Sequence, residues 1–482
     1  MTRGPYLQHA DDGLTVVWYT AFATEGRVRW LVNEEEPGES PSLSGLATRH
    51  EAVIAPLVPD ARYSYRVYSP RGLLAGADGT VEFSFRAPEP GVERFVVFGD
   101  SGLGGPEQYA VASAIGREAP APDLVLIVGD VIYPPADDAS YDPRFFAPYR
   151  ALLPAIPFYA ALGNHDYEIK GGQPFFDVFT LPRNGPVGLA PESSYWLERA
   201  GVRLIVHDTN QGAATLRAQS VPWHTGITGR PATFRLVFQH HSMYSSGPSY
   251  QEYPAGALRA LLTPVYTATG VDVVFNGHDH LYERTRPIDG VVYVTTGAGG
   301  AELYPRYFRN PFTLAFVNDR HSYTYVEVRE RTLRLRQADT SGQQIDALEI
   351  TKPVLASDAL HAFAGAGSPP RGWEEATFDD SSWPEARRTG FVSTLRARRG
   401  FDLPRAGGVG EAFLRVRGAK DFVARLNGVA VARGDREPDG TFPVPLSLLR
   451  PGRNALALEG TVDGTEDAPP SLELSLVSSP PR

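Results

Sequence analysis

The sequence predicts a multidomain protein in which a central α/β domain is flanked by two all-β domains. Three observations carry this. At 482 residues the chain is long enough for about three domains. Proline-rich breaks near residue 90 and over 353–371 divide it. Between the breaks, nearly continuous apolar runs alternate with helix-like stretches, whereas short alternating strands fill both flanks.

The first flank, 1–89, holds alternating segments such as Thr15–Tyr19 and Arg27–Trp30, punctuated by turns. The stretch Leu57–Val67 places a turn before a strand whose Tyr63 is a candidate corner tyrosine. This segment resembles a fibronectin type III β-sandwich. After Arg86–Gly91 the pattern changes, and 92–352 carries apolar strand candidates at Phe95–Phe98, Leu124–Val128, Phe158–Leu162, Val202–Val206, Phe234–Phe238, Val271–Phe275 and Val291–Val294. Most are apolar throughout, as strands covered on both faces must be. Helices are expected near Glu107–Arg117 and Ala255–Thr267, and alternation returns from about 312 to 350, closing the sheet with antiparallel strands. A linker over 353–371 includes Ala364–Pro370. The remainder, 372–482, contains Trp373–Trp383, Arg398–Phe401, Phe413–Val416, Phe422–Val429 and Leu449–Asn454. In that order these phrases resemble the galactose-binding-like jelly-roll modules appended to many secreted hydrolases. Trp373 and Trp383 read as core anchors ahead of sugar-stacking platforms. Carbohydrate contact through this module is the weaker partner expectation.

Composition narrows the chemistry. With 46 basic against 56 acidic residues the net charge is −10, which excludes the broad basic footprint of a nucleic-acid scaffold or an anionic-membrane binder. Any anionic substrate must be captured locally. Cysteine is absent, so disulfides, zinc–thiolate sites and cysteine nucleophiles are excluded, and a metal site must use oxygen and nitrogen. The 48 glycines and 42 prolines exceed an average combined usage of about 12%, as turn-rich β domains require. No run of 18 apolar residues exists, so no transmembrane helix is expected. The opening Met1–Tyr6 lacks the apolar stretch of a signal peptide. The chain is therefore either cytoplasmic or a trimmed mature form, and the start at Gly4–Gln8 together with the appended module favours a secreted or periplasmic protein.

Five short motifs sit at or just after apolar strands of the central domain: Gly99–Gly102, Gly129–Tyr133, Gly163–Asp166, Val237–His240 and Gly277–His280. Open α/β sheets place ligands at those strand ends. In four of the five a glycine directly precedes the candidate ligand, which lets the backbone turn sharply. The seven candidates are Asp100, Asp130, Tyr133, Asn164, His240, His278 and His280, the donor set that a pair of metal ions about 3.5–4 Å apart requires. Asp130 is the natural bridge. Asp100, Asp130, Tyr133 and His280 would hold one ion, and Asp130, Asn164, His240 and His278 the other. Hard anionic oxygens favour Fe(III) in the first site; the mixed set suits divalent Zn, Mn or Fe in the second.

The five ordered motifs, followed by Leu281–Arg284, resemble those of the purple acid phosphatases, within the calcineurin-like metallophosphoesterases. The resemblance covers roughly 1–350 and implies a four-layer α/β/β/α catalytic domain. It also implies binuclear hydrolysis of phosphate monoesters by in-line attack of a metal-bound hydroxide. His165 and His241 are the candidate catalytic residues, for phosphate contact or leaving-group protonation. Neighbouring His240 and His241 should face opposite ways, and the motif register favours His240 as the ligand. Ser242–Gly247 is expected to line the substrate mouth and departs from the plant enzymes of the family, which leaves the general acid open between the two histidines. Asp166 and Asp279 read as orienting groups, Arg284 as either an ion-pair partner or a substrate contact, His207 as structural, and His224, His321 and His361 as surface or loop residues. The alternatives are a phosphodiesterase or nucleotidase on the same metal pair, or, from another class, a non-catalytic surface or carbohydrate-binding protein.

Overall fold

The computed structural model describes residues 1–76, 78–355, 358–363, 367–386, 394–404, 408–434, 440–462 and 470–479. Its centre is two sheets packed face to face. One runs Phe158–Ala161, Leu124–Val128, Val92–Phe98, Ser322–Arg329, Thr332–Asp339 and Gln344–Val354; the other runs Tyr195–Arg199, Val202–His207, Phe234–Gln239, Val273–Asn276, Val292–Thr296, Tyr282–Thr285 and Thr313–Val317. In the second sheet the inner strands are parallel and the outer ones antiparallel, whereas in the first the three strands at one edge, Phe158–Ala161, Leu124–Val128 and Val92–Phe98, are parallel and the rest antiparallel. The apolar runs have this cause: Leu204, Leu236, Phe238, Val273 and Phe275 fill the space between the sheets, while their neighbours Ile205, Val237 and Val274 pack outward with Leu258, Leu262 and Tyr266 of the helix Tyr253–Thr269. Phe95 meets Phe238 and Phe275 edge-on across the interface, with ring centroids 5.9 and 6.4 Å apart. The helix Pro106–Ile115 joins the core through Val111 and Ile115. Parallel strands in both sheets bring their C-terminal ends to one rim, and that rim forms the cleft.

The N-terminal flank is a three-stranded and a five-stranded sheet around Trp18, Val28 and Tyr65. Tyr63 closes a corner, its hydroxyl oxygen accepting from the Val58 amide at 2.7 Å. The flank is tied to the centre by Tyr6 and Tyr65, whose hydroxyls donate to the carbonyls of Val178 and Pro154.

At the other end the boundary differs from expectation. Residue 353 lies inside the strand Gln344–Val354, which pairs antiparallel with Ser471–Ser478; Val409–Arg417 and Gly440–Pro443 follow in the same sheet. One sheet of the C-terminal region is thus a continuation of a central sheet, and a second five-stranded sheet covers it around Leu414, Leu456 and Leu474. A buried charge cluster stitches the join. Lys352 Nζ sits 2.8 Å from Asp272 and 3.0 Å from Glu473, and Arg415 reaches the same Glu473 oxygen at 2.8 Å. Of the proline- and glycine-rich stretch 364–370, residues 364–366 lie outside the described residues. Trp373 is buried and meets Trp383, which also contacts Phe363 and Phe378. Among the described residues no helix is long and apolar enough to cross a membrane.

Candidate metal centre

Asp100 follows Val92–Phe98, Asp130 follows Leu124–Val128, Asn164 follows Phe158–Ala161, His240 follows Phe234–Gln239 and His278 follows Val273–Asn276. The chain turns hard at three of them: Asp100, Asp130 and His278 have φ of 57°, 50° and 68°. Holding a non-glycine residue in that left-handed region costs about 1–3 kcal/mol and recurs at functional sites. Two of the preceding glycines serve close approach rather than an unusual φ. A Cβ on Gly163 would stand 2.1 Å from Asp130 Oδ1, and one on Gly277 would stand 2.4 Å from Asp100 Oδ2.

The seven side chains gather in two adjoining groups. In the first, Tyr133 Oη lies 2.8 Å from His280 Nε2 and 3.5 Å from Asp100 Oδ1, and that oxygen is 3.6 Å from His280 Nε2. In the second, Asn164 Oδ1 lies 2.9 Å from His240 Nε2 and 3.0 Å from His278 Nδ1, and those two ring nitrogens are 3.2 Å apart. Asp130 stands between the groups, 3.5 Å from His240 Nε2. Asp100, Asp130 and His240 can offer ligand atoms all within 4.8 Å of one another. Orientation comes from behind: His240 Nδ1 donates to the Val128 carbonyl at 3.0 Å and His280 Nδ1 to the Glu302 carbonyl at 2.8 Å. Each ring therefore presents its Nε2 lone pair to the cleft.

The electrostatics explain what such a cluster needs. Burial, reinforced by the Asp130 charge, pushes the Asp100 carboxyl well above its usual range; burial also raises Asp130 and, with Asp100 next in weight, the Tyr133 phenol. Burial lowers His240 strongly and His280 to about 4. The imidazoles are thus neutral and ready to donate lone pairs. The acids lack the positive charge that would let them ionise, and cations in the cleft would supply it. An all-oxygen-and-nitrogen donor set with this charge deficit fits metal ions.

Around the cluster the remaining candidates separate. His165 is one-third exposed, its ring 4.8 Å from that of Tyr133; Nδ1 faces Glu168 Oε1 at 2.5 Å, and Nε2 is 3.9 Å from Asp130 Oδ2. His241 turns the other way from His240: its Nδ1 meets Thr209 Oγ1 at 2.9 Å, and burial lowers it to about 2. Asp166 accepts from the amides of Val131 and Gly163, tying two ligand loops together; burial and then the Asp130 charge lift it to about 8. Asp279 accepts from Ser249.

Two expectations are corrected and a third is decided between its alternatives. Ser242–Gly247 does not line a mouth; it is buried, with Ser242 Oγ donating to the Gly277 carbonyl and Ser246 donating to Glu283. For Arg284 the ion-pair alternative holds: it forms a buried pair with Asp346 at 2.6 Å. His224 is not at the surface: it is fully buried, bonded to His207 at 2.9 Å and to Thr269. Residues that motif reading passed over also appear. Glu168 backs His165, Glu252 Oε2 lies 3.5 Å from His278 Nε2, and Tyr304 stacks on His280 with centroids 4.0 Å apart. None belongs to a recognisable motif, and Tyr304 lies 24 residues beyond His280, so only folding brings it there.

The calcineurin-like phosphoesterase family model matches residues 93–282. Over 371 residues the chain is 25% identical to a protein named probable inactive purple acid phosphatase 1 of Arabidopsis thaliana, covering 61% of this chain and 59% of that one. Over 327 residues it is 28% identical to purple acid phosphatase 1 of Ipomoea batatas, covering 61% and 65% respectively. The chain thus spans roughly six-tenths of these relatives' length. Its fold is similar to that of a purple acid phosphatase from yellow lupin (Lupinus luteus) seeds, with a TM-score of 0.61 at 21% identity, covering 72% of this chain and 74% of that one. Residues 93–282 thus match the calcineurin-like phosphoesterase model, and the chain is similar to purple acid phosphatases in sequence and in fold.

Proposed function

We propose that the protein hydrolyses phosphate monoesters with two metal ions held in the cleft. The observation that carries this reading is the gathering of seven donor side chains into two adjoining groups with Asp130 between them. Asp100, Asp130, Tyr133 and His280 would hold Fe(III), for which two carboxylates and a phenolate are the matching hard donors; Asp130, Asn164, His240 and His278 would hold divalent Zn, Mn or Fe. When bound, such a pair screens phosphoryl charge and acidifies water. The chain's own residues do the rest. His165, directly after Asn164 and one-third exposed, is the group best placed to touch the ester and pass a proton from Nε2 to the departing oxygen, with Glu168 holding Nδ1. His241, buried and turned to Thr209, serves as a wall and not as the acid. Tyr304 covers His280 and limits water on that side. In this reading 92–352 is the catalytic unit, and the sandwiches over 1–89 and 372–482 brace it. All seven donors are present, in contrast to what the word inactive in one relative's name would suggest for this chain.

Metal analysis and a substrate panel on one preparation test this. Two metals per chain, visible absorption from an iron–tyrosinate pair, and turnover of p-nitrophenyl phosphate above bis-p-nitrophenyl phosphate, nucleotides and phytate are expected. Preference for the diester would replace the reading with a phosphodiesterase, and a metal-free, inert protein would overturn it.

A further inference from the structure

Beside the second donor group lies a cleft of about 210 Å³. One wall is the loop after Val202–His207, with Asn210 and Leu216; the other is the start of the helix Tyr253–Thr269, with Ala257, Leu258 and Leu261; His241 forms the floor. Two links fix it against the donors. The His241 ring is 4.8 Å from that of His278, and Asn210 Nδ2 donates to the carbonyl of Leu162, two residues before Asn164. The cleft thus adjoins the donor cluster, with His241 touching both.

Among the described residues the lining contains no Asp, Glu, Lys or Arg. Next to a cluster built for a charged phosphate this contrast is informative. A charged alcohol portion entering the cleft would lose water without gaining a partner, a net cost. An uncharged ring would gain by burial. Size agrees, since a cavity of about 150 Å³ lined by aliphatic side chains accommodates benzene.

We propose that this cleft is the leaving-group subsite and that it selects phosphate monoesters of small uncharged cyclic alcohols, phenols above all, over esters whose alcohol carries further phosphates. The proposal rests on the monoesterase reading and adds the identity of the alcohol. Two measurements test it. For the wild-type protein, phenylphosphonate is expected to inhibit competitively with a Ki at least tenfold below that of methylphosphonate. In Ala257→Phe and Ala213→Leu, which fill the cleft from opposite walls, the ratio of kcat/KM for phenyl phosphate to that for methyl phosphate is expected to fall at least tenfold. Equal inhibition by the two phosphonates, or ratios within twofold of wild type in the variants, overturns the subsite. Absence of turnover on both esters by the wild-type protein overturns the monoesterase reading and the subsite with it. The phosphonate comparison needs no variant to fold.

Discussion

Gly163 lies flush against Asp130: a methyl group on Gly163 would stand 2.1 Å from both the amide nitrogen and Oδ1 of Asp130. One of these neighbours is backbone, which cannot swing away as a side-chain tip could. The relationship joins the loop bearing Asn164 and His165 to the loop bearing the carboxylate between the two donor groups.

Gly163→Ala is therefore expected to displace Asp130, lower metal content to less than half of wild type and reduce turnover by about 100-fold, the usual consequence of a misplacement near 1 Å. Gly226→Ala is the control: no atom lies within 4 Å of its added methyl, and within the helix Val221–Thr228 alanine should stabilise by about 0.5–1 kcal/mol. Metal analysis and thermal melting read both, and normal metal content in Gly163→Ala would refute the steric argument.

Asp130→Ala should remove both metals and all measurable turnover, since this carboxylate stands between the groups. Tyr133→Phe should abolish visible absorption while retaining the divalent ion. Retention of one full metal equivalent in Asp130→Ala, measured by elemental analysis, would show that Asp130 belongs to a single site.

His165→Ala should lower kcat by about 10²- to 10⁴-fold, the usual contribution of a positioned acid, with metal content unchanged. Glu168→Gln should have a smaller effect that appears in the pH profile, because it acts through the His165 Nδ1 contact at 2.5 Å. If His241→Ala and not His165→Ala carried the kcat loss, the proton donor would be reassigned.

The join between the central and C-terminal sheets should be acid-sensitive. Burial alone would raise the Glu473 carboxyl, yet Lys352, Arg415 and Arg235 outweigh it and hold Glu473 down to about 2 from its ordinary 4.5. With the folded value depressed, the stability it contributes is complete above about pH 4.5 and is lost as pH falls toward 2. Lys352→Met, which removes the cation shared by Asp272 and Glu473 and leaves Glu473 to Arg415, should cost about 3–5 kcal/mol at neutral pH. Urea unfolding followed against pH measures both effects, and an acid limb unchanged in Glu473→Gln would assign it elsewhere.

Much of the central fold is legible locally. Leu124–Val128 has the same bounds in sequence and structure, and Phe234–Gln239 extends its expected run by one residue, because residues covered on both faces must be apolar at every position. The polar candidates Asp100, Asp130, Asn164, His240 and His278 stand out for the complementary reason: each interrupts an apolar run at its end. Ser242–Gly247 misleads by the same logic, since a polar segment reads as exposed, and its hydroxyls are buried against Glu283 and the Gly277 carbonyl. His224 misleads likewise, its ring satisfied by His207 and Thr269.

The sequence by itself determined seven of the central strands and two of the helices in order, the absence of thiol chemistry and the candidate donors, because those depend on composition and on periods of two to four residues. Tertiary structure alone decided which donors face one another, that Glu168, Glu252 and Tyr304 stand behind them, and that Ser471–Ser478 extends a central sheet beside Gln344–Val354. Strand pairing across more than a hundred residues and contacts between separate loops are set by packing and hydrogen bonding between distant segments, and no local pattern encodes them.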